Sequence, residues 1–368
     1  MRRKQTIIIL PVGEKCNLSC SYCYHSPIRD QGAKVMSKEM LKRIIFAASK
    51  TSGKITFLWH GGEPLLAGIN YFETAIKLQN VFLKEKIIKN IIQSNLVILN
   101  EKWINFLVEN KISISTSLDG PKEMHDSNRY FPSGRGSFEQ VSTNIRKLRS
   151  RKIRVGCITL ITKTNVKYPE KVYETLKNVG VSSVAFHFCS ETEDCISHLI
   201  PTQKAGANFL KRIFDMWTLD DNPDFRIRNF ENIIRHFFNG RPLDCASSYN
   251  SCPGFVAIDQ LGDVYPCNRF AGRKDFLIGN ILDKSLSTLL YEARPLYKKI
   301  TKIKKECLKC KWFGLCGGGC AYERLFFSNG SFDGGHPDCE LKKELFSYVW
   351  EYLEDFYKSE KLNFKGTR

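Results

Sequence analysis

The chain has 368 residues, with 56 lysines and arginines against 38 acidic residues and a formal charge of +18. At 42% hydrophobic and 26% charged residues it is neither a disordered nor a fibrous chain, and its length suits two domains or one large barrel with an appendage. Fourteen cysteines stand out, and disulfides, zinc or iron–sulfur clusters are the ways to use them. At the N-terminus, Arg2, Arg3 and Lys4 precede a short apolar run, Thr6–Val12, and Glu14 and Lys15 follow without a small-residue cleavage site. Such a run is too short to span a membrane and unlike a secretion signal, so a cytoplasmic protein is expected. Disulfides are rare there, and the cysteines read as metal ligands.

Along the first 200 residues, β-rich runs alternate with helical patterns. Thr6–Val12, Lys54–Trp59, Ile91–Ile98, Ile112–Leu118, Ile153–Ile161 and Ser182–Phe188 read as strands. Lys38–Ser49, Tyr71–Leu83, Glu101–Glu109, Phe138–Ser150 and Pro169–Asn178 read as helices, with starts marked by Ser37 with Met40 and by a capping box of Ser137 with Gln140. Six βα units predict an α/β fold, a parallel sheet forming a partial (β/α)6 barrel with its site at the C-terminal strand ends. Helices are expected over Thr202–Leu219 and Glu231–Asn239. From Cys245 to Cys339 the chain is rich in Cys and Gly and short of regular period, as in a small domain organised by metal more than by an apolar core. A last amphipathic helix, Glu340–Tyr357, follows. The expected division is 1–200 for the barrel, 201–244 for a helical connection, 245–342 for the cysteine-rich domain and 343–368 for the terminal helix and tail.

The first cysteines stand in KCNLSCSYCYH, where Cys16, Cys20 and Cys23 directly follow the first strand. A closed zinc site needs four ligands, whereas three thiolates suit a four-iron cluster with one iron left open. At the next strand end stands HGGEP, His60 to Pro64, whose glycines expose backbone polar groups to a ligand and whose Glu63 adds an acceptor. Ser115, Ser117 and Asp119 bring small polar groups to the end of the fourth strand. His25 and His60 fit a place at the barrel mouth and a structural role equally well.

The triplet Cys-x3-Cys-x2-Cys, with Tyr22 before its last cysteine and GGEP after it, resembles the radical S-adenosylmethionine (SAM) superfamily. The resemblance implies that Cys16, Cys20 and Cys23 hold a [4Fe–4S] cluster whose open iron binds SAM. Gly61, Gly62 and Glu63 match the motif that receives its amino group, and Ser117 matches a serine that helps hold its carboxylate. It further implies reductive cleavage of SAM to a 5′-deoxyadenosyl radical that abstracts hydrogen from the substrate, with the cofactor carrying the chemistry.

Cys245, Cys252, Cys267, Cys307, Cys310, Cys316, Cys320 and Cys339 make two four-ligand sets. By spacing alone both zinc ribbons and iron–sulfur clusters fit them. Their order, with Gly262 five residues before Cys267, resembles the SPASM extension with two auxiliary [4Fe–4S] clusters. That resemblance implies Cys245, Cys252, Cys267 and Cys320 on one cluster and Cys307, Cys310, Cys316 and Cys339 on the other. Cys157, Cys189 and Cys195 are left over, the first placed in a strand and the others near the barrel mouth.

In length and motif order the chain is similar to anaerobic sulfatase-maturating enzymes, which oxidise a cysteine or serine to formylglycine. Those maturases carry an aspartate after the YPC cysteine, proposed as a base, where this chain has Asn268, which takes up no proton at neutral pH. CNRFAGRKDFLIGNI instead resembles SPASM enzymes that mature ribosomally made peptides. The expectation is therefore a maturase that abstracts hydrogen from a precursor peptide and forms a side-chain cross-link of cyclophane type. Formylglycine formation is the alternative, with epimerisation and backbone excision also in the class. Implied partners are the precursor peptide or protein, an electron donor such as flavodoxin or ferredoxin and, with no recognition domain before Thr6, a separate peptide-recognition protein. Basic runs such as Lys298–Glu306 suit acidic partners or a solvated surface. An RNA-modifying enzyme is disfavoured for want of a recognisable RNA-binding module.

Overall fold

Three consecutive isoleucines, Ile7 to Ile9, are buried in the first strand, β1 (Gln5–Ile9), as expected of a parallel strand covered on both faces. The structure is a computed structural model and describes residues 5–25, 32–51, 53–190, 196–238, 240, 242 and 244–359. Cys195 lies outside the described residues. Five strands follow β1 in the barrel-forming part: β2 (Ile55–Trp59), β3 (Ile88–Gln93), β4 (Ser113–Ser117), β5 (Val155–Ile161) and β6 (Ser183–Phe188). The longer helices between them are Lys38–Ser49, Ile69–Phe82, Glu101–Glu109, Phe138–Ser150 and Pro169–Val179, close to those read from the sequence. Shorter strands complete the sheet: β7 (Arg226–Ile227), β8 (Phe255–Ile258), β9 (Asp263–Tyr265) and β10 (Gly279–Asn280). The ten strands run in the order β10-β9-β8-β1-β2-β3-β4-β5-β6-β7, and the sheet is not closed. The α/β partial barrel expected from the sequence is thus present as an open sheet.

By internal contacts the chain forms two units. The first comprises Met1–Leu118, His125–Cys157 and Cys252–Ile300. Here β1 pairs in parallel with β2, and on its other side Thr6–Ile9 pairs in parallel with Phe255–Ile258. Residues 255–300 do not depend on metal alone. Val256, Ile258, Val264, Phe270, Leu286, Leu289 and Ile300 are buried, and Asp259 Oδ1 accepts from the amides of Leu261 and Asp263 to shape the β8–β9 turn. Strands of two to four residues are too short to show a period.

Two local readings separate here. Ser37 caps its helix, accepting from Met40 N at 3.1 Å. Ser137 forms no capping box: its hydroxyl donates to Arg129 O and meets His125 Nε2, each at 2.9 Å, while Asp126 Oδ1 accepts from Phe138 N. The buried histidine competes successfully for the serine. β3 starts earlier than its reading, at Ile88, and stops at Gln93 because Ser94 and Asn95 turn away to bind Glu63.

The second unit comprises Asp119–Met124, Ile158–Ser251 and Thr301–Arg368. Helices Gln203–Asp220 and Cys339–Ser359 pack together in it, with Phe214 edge-on to Tyr352 and Tyr348 Oη donating to Asp215 at 2.6 Å. A Cβ on Gly206 would meet Leu341 at 2.4 Å, so only glycine allows that approach. Among the described residues no helix is long and apolar enough to cross a membrane.

Candidate functional site

β1 ends in a turn that leads into the loop of Cys16, Cys20 and Cys23, all three free thiols. Burial first, then the nearby Glu63 carboxylate and the thiols of Cys20 and Cys23, push the Cys16 thiol up to about 12. Unmetallated, the Cys16 thiol stays protonated, and a cationic centre is what would draw its proton off. Leu18 N at 3.5 Å and Asn95 Nδ2 at 3.7 Å donate to Cys16 Sγ. The loop is also strapped from outside: Ser19 N and Ser21 N donate to the carbonyls of Tyr130 and Asn128 at 2.8 and 2.9 Å.

The tip of β2 explains the glycines of HGGEP differently from the sequence reading. A Cβ on Gly61 would lie 2.3 Å from Gly13 O, and one on Gly62 would lie 2.1 Å from Lys15 O. The Gly62 and Glu63 amides donate to those same carbonyls, each at 2.9 Å. The glycines thus lock the two strand tips together, and the N–H groups of Gly62 and Glu63 hold the turn that leads into the cysteine loop. The Gly61 and Gly62 carbonyl oxygens accept no hydrogen bond among the described residues, which leaves them for a donor on a ligand.

Glu63 is fully buried, and burial pushes its carboxyl up to about 7 against the pull of three hydrogen bonds and of Arg129. Those bonds come from Leu65 N at 3.0 Å, Ser94 Oγ at 2.8 Å and Asn95 N at 2.7 Å. Arg129 also donates to Tyr22 Oη at 3.2 Å, so Tyr22 and Glu63 share one cation. Ser117 stands at the end of β4, where Gln93 Nε2 donates to its hydroxyl at 3.5 Å. Ser94, Asn95 and Arg129 escaped the sequence reading. They lie outside the cysteine and GGEP motifs, and the first two fall inside the run Ile91–Ile98 that the sequence reads as a strand.

Beside the cysteine loop, Asn268 Nδ2 donates to Tyr24 Oη at 2.7 Å, and Arg269 lies over the Tyr24 ring with its centroid 5.9 Å away. Burial pushes the Tyr24 phenol up, with Cys23 and Cys267 adding to the push, so this residue faces thiols of both motifs. His60 Nδ1 accepts from Gly61 N at 2.8 Å, and burial pushes its pKa down to about 4, so it is neutral at pH 7. His25 is buried. Asp119 serves the backbone, its Oδ1 accepting from Leu160 N at 3.0 Å.

The later cysteines fall into local groups. Cys252 and Cys267 both act on the Tyr297 phenol, which burial and their proximity push up. In the second unit, burial and then Cys316 and Cys310 raise the Cys307 thiol, while Cys339 feels Cys316 and Cys307. Cys307, Cys310, Cys316 and Cys339 thus form one group. Cys245 and Cys320 belong to the same unit, where a Cβ on Gly317 would meet Tyr249 N at 2.6 Å. Buried Arg324 clamps the glycine loop, donating to the carbonyls of Gly318, Gly319, Lys302 and Phe332 at 2.8–3.0 Å. Among the described cysteines none is disulfide-bonded, so thiolate donors are available in the numbers iron–sulfur clusters require.

Comparison with known proteins agrees with this geometry. The family model described as Radical SAM superfamily matches residues 10–179, and that of SPASM, an iron-sulfur cluster-binding domain, matches residues 252–311. A cysteine-type anaerobic sulfatase-maturating enzyme of Clostridium perfringens is 30% identical over 95% of this chain and 97% of its own. A serine-type counterpart from Bacteroides thetaiotaomicron is 28% identical over 97% of this chain and 92% of its own. The solved structure of native anSMEcpe with bound AdoMet and Cp18Cys peptide superposes with a TM-score of 0.85 at 28% identity, covering 97% of this chain and 99% of that one.

Proposed function

Because this chain belongs to the radical SAM enzymes with a SPASM domain, the family of the anaerobic sulfatase-maturating enzymes, we propose that it oxidises a cysteine or serine side chain of a protein substrate to formylglycine. The observation that carries this is similarity along nearly the whole length to maturases of both the cysteine and the serine type. It favours this alternative over the cross-link expected from the sequence alone.

The roles follow from the site. Cys16, Cys20 and Cys23 would hold the first cluster, and the eight cysteines from Cys245 to Cys339 two auxiliary ones. Bound there, SAM and the first cluster supply abstraction of hydrogen from an unactivated C–H bond. The carbonyls of Gly61 and Gly62 would accept from the SAM amino group, with the Glu63 carboxylate held close by Ser94 and Asn95. Ser117 and the Arg129 guanidinium, already bonded to Tyr22, would face its carboxylate. The enzyme acts on a peptide or protein and needs a reductant.

One observation favours the cross-link as a second reading. Asn268 spends its amide N–H on Tyr24, so the position is fitted as a hydrogen-bond donor and offers no carboxylate. A hydrogen abstracted from carbon needs no prior deprotonation of a thiol or hydroxyl, whereas a base eases formylglycine formation. Mass spectrometry after anaerobic turnover decides between them. With the reconstituted enzyme, SAM and a sulfatase-derived cysteine peptide or its serine form, formylglycine formation gives a product that a hydrazide reagent traps as an aldehyde. Unchanged sulfatase peptides, together with two hydrogens lost and no aldehyde in a neighbouring precursor peptide, would reject the proposal in favour of the cross-link.

A further inference from the structure

The loop that carries Cys307 and Cys310 is ringed with lysines. Between Thr301 and Lys311, the side chains of Lys302, Lys304, Lys305, Lys309 and Lys311 are all exposed, against the single acid Glu306. Among the described residues none of these five lysines is in an ion pair, and Lys311 alone of them lies over a ring, that of Trp312, at 4.8 Å. Leu308, 57% exposed, supplies an apolar centre in the short helix Lys305–Leu308. Cys307 and Cys310 are only half-buried, so a cluster held by this group would lie just under the lysine face.

We propose that this face docks an acidic one-electron carrier protein and that the cluster of Cys307, Cys310, Cys316 and Cys339 receives its electron. The inference rests on the cluster reading given above. The transfer makes and breaks no bond: the reduced carrier, a flavin or iron–sulfur protein, loses one electron and the cluster gains one. Electron-transfer encounters use small interfaces, and one loop with a central leucine and a cationic rim is of that kind. Lysines steer an acidic partner over several ångströms and hold it weakly, which suits a carrier that must leave after each transfer. An acidic leader peptide or a nucleic acid would share the charge but gains nothing from a site placed on cluster ligands.

The test uses the anaerobically reconstituted full chain and purified flavodoxin, an acidic flavoprotein. Lys302→Glu, Lys305→Glu and Lys309→Glu are combined, with the three Arg replacements as the charge-preserving control. Iron, sulfide and the spectrum of the dithionite-reduced protein report whether the clusters are intact. The Glu variant is expected to bind flavodoxin, and to be reduced by its hydroquinone in stopped flow, at least about tenfold more weakly at low salt. Its dependence on salt should flatten, and the Arg variant should behave as the parent does. Unaltered flavodoxin binding and reduction in a Glu variant with full clusters would overturn the docking proposal alone. So would a loss confined to substrate peptide or to a single-stranded oligonucleotide. Parent protein lacking iron at this site would instead overturn the cluster reading, and the inference with it.

Discussion

Glu63 carries two tasks in one carboxylate. It closes the turn after β2 through Leu65 N and ties the end of β3 through Ser94 and Asn95, all out of water. An unmade buried hydrogen bond costs about 1–3 kcal/mol. Glu63→Ala is therefore expected to lower the thermal midpoint and to remove SAM binding in calorimetry, and unchanged SAM affinity would refute its place in the site. Its proton adds a pH dependence. Because burial raises the folded value to about 7 from an ordinary 4.5, the folded cluster-free chain holds a proton that the unfolded chain has lost. That contribution is complete below the unfolded value and disappears as pH rises through about 7. Cluster-free Glu63→Gln should show a flatter thermal midpoint between neutral and mildly acid pH than its parent. GGE was legible as a motif. Its partners Ser94, Asn95 and Arg129 were not, because the first two come from the end of β3 and Arg129 from the connection after β4.

At the scale of elements, two serines with similar local sequence do different work. Ser37 accepts from Met40 N as an N-cap, and Ser37→Ala should cost about 0.5–2 kcal/mol in a urea melt. Ser137 makes no cap bond and instead joins His125 to Arg129. Ser137→Ala should then be the costlier change, about 1–3 kcal/mol, because it takes a partner from a fully buried imidazole. Equal, small costs at both positions would contradict the assignment. The long helices were legible because the 3.6-residue period and their caps are local signals, as at Lys38–Ser49 and Glu101–Glu109. The strands β8 to β10 were not: their few residues become strands by pairing with β1 and with each other.

At the scale of the molecule, the cysteine count becomes a stoichiometry. Eleven thiols in the two motifs predict three four-iron clusters, hence about twelve iron and twelve sulfide per chain after anaerobic reconstitution. Cys16→Ala, Cys20→Ala and Cys23→Ala together should remove about a third of both and abolish SAM cleavage, while leaving the auxiliary signals in the reduced protein. Zinc in place of iron, or SAM cleavage by the triple variant, would refute the assignment. Cys157 and Cys189 stand apart from this count: both are buried, and burial with Asp119 nearby pushes the Cys189 thiol up to about 12.

By itself the sequence determined the alternating βα order, the three-cysteine loop after the first strand and GGEP after the second. Each is a contiguous stretch whose spacing is already a geometric statement. Only the tertiary structure decided that the GGEP glycines lock onto the cysteine loop, that Arg129 serves both Tyr22 and Glu63, and that Asn268 donates to Tyr24. Those pairs lie far apart along the chain. No local pattern encodes a contact that exists only once separate strand ends, each shaped by its own hydrogen bonds, are folded against one another.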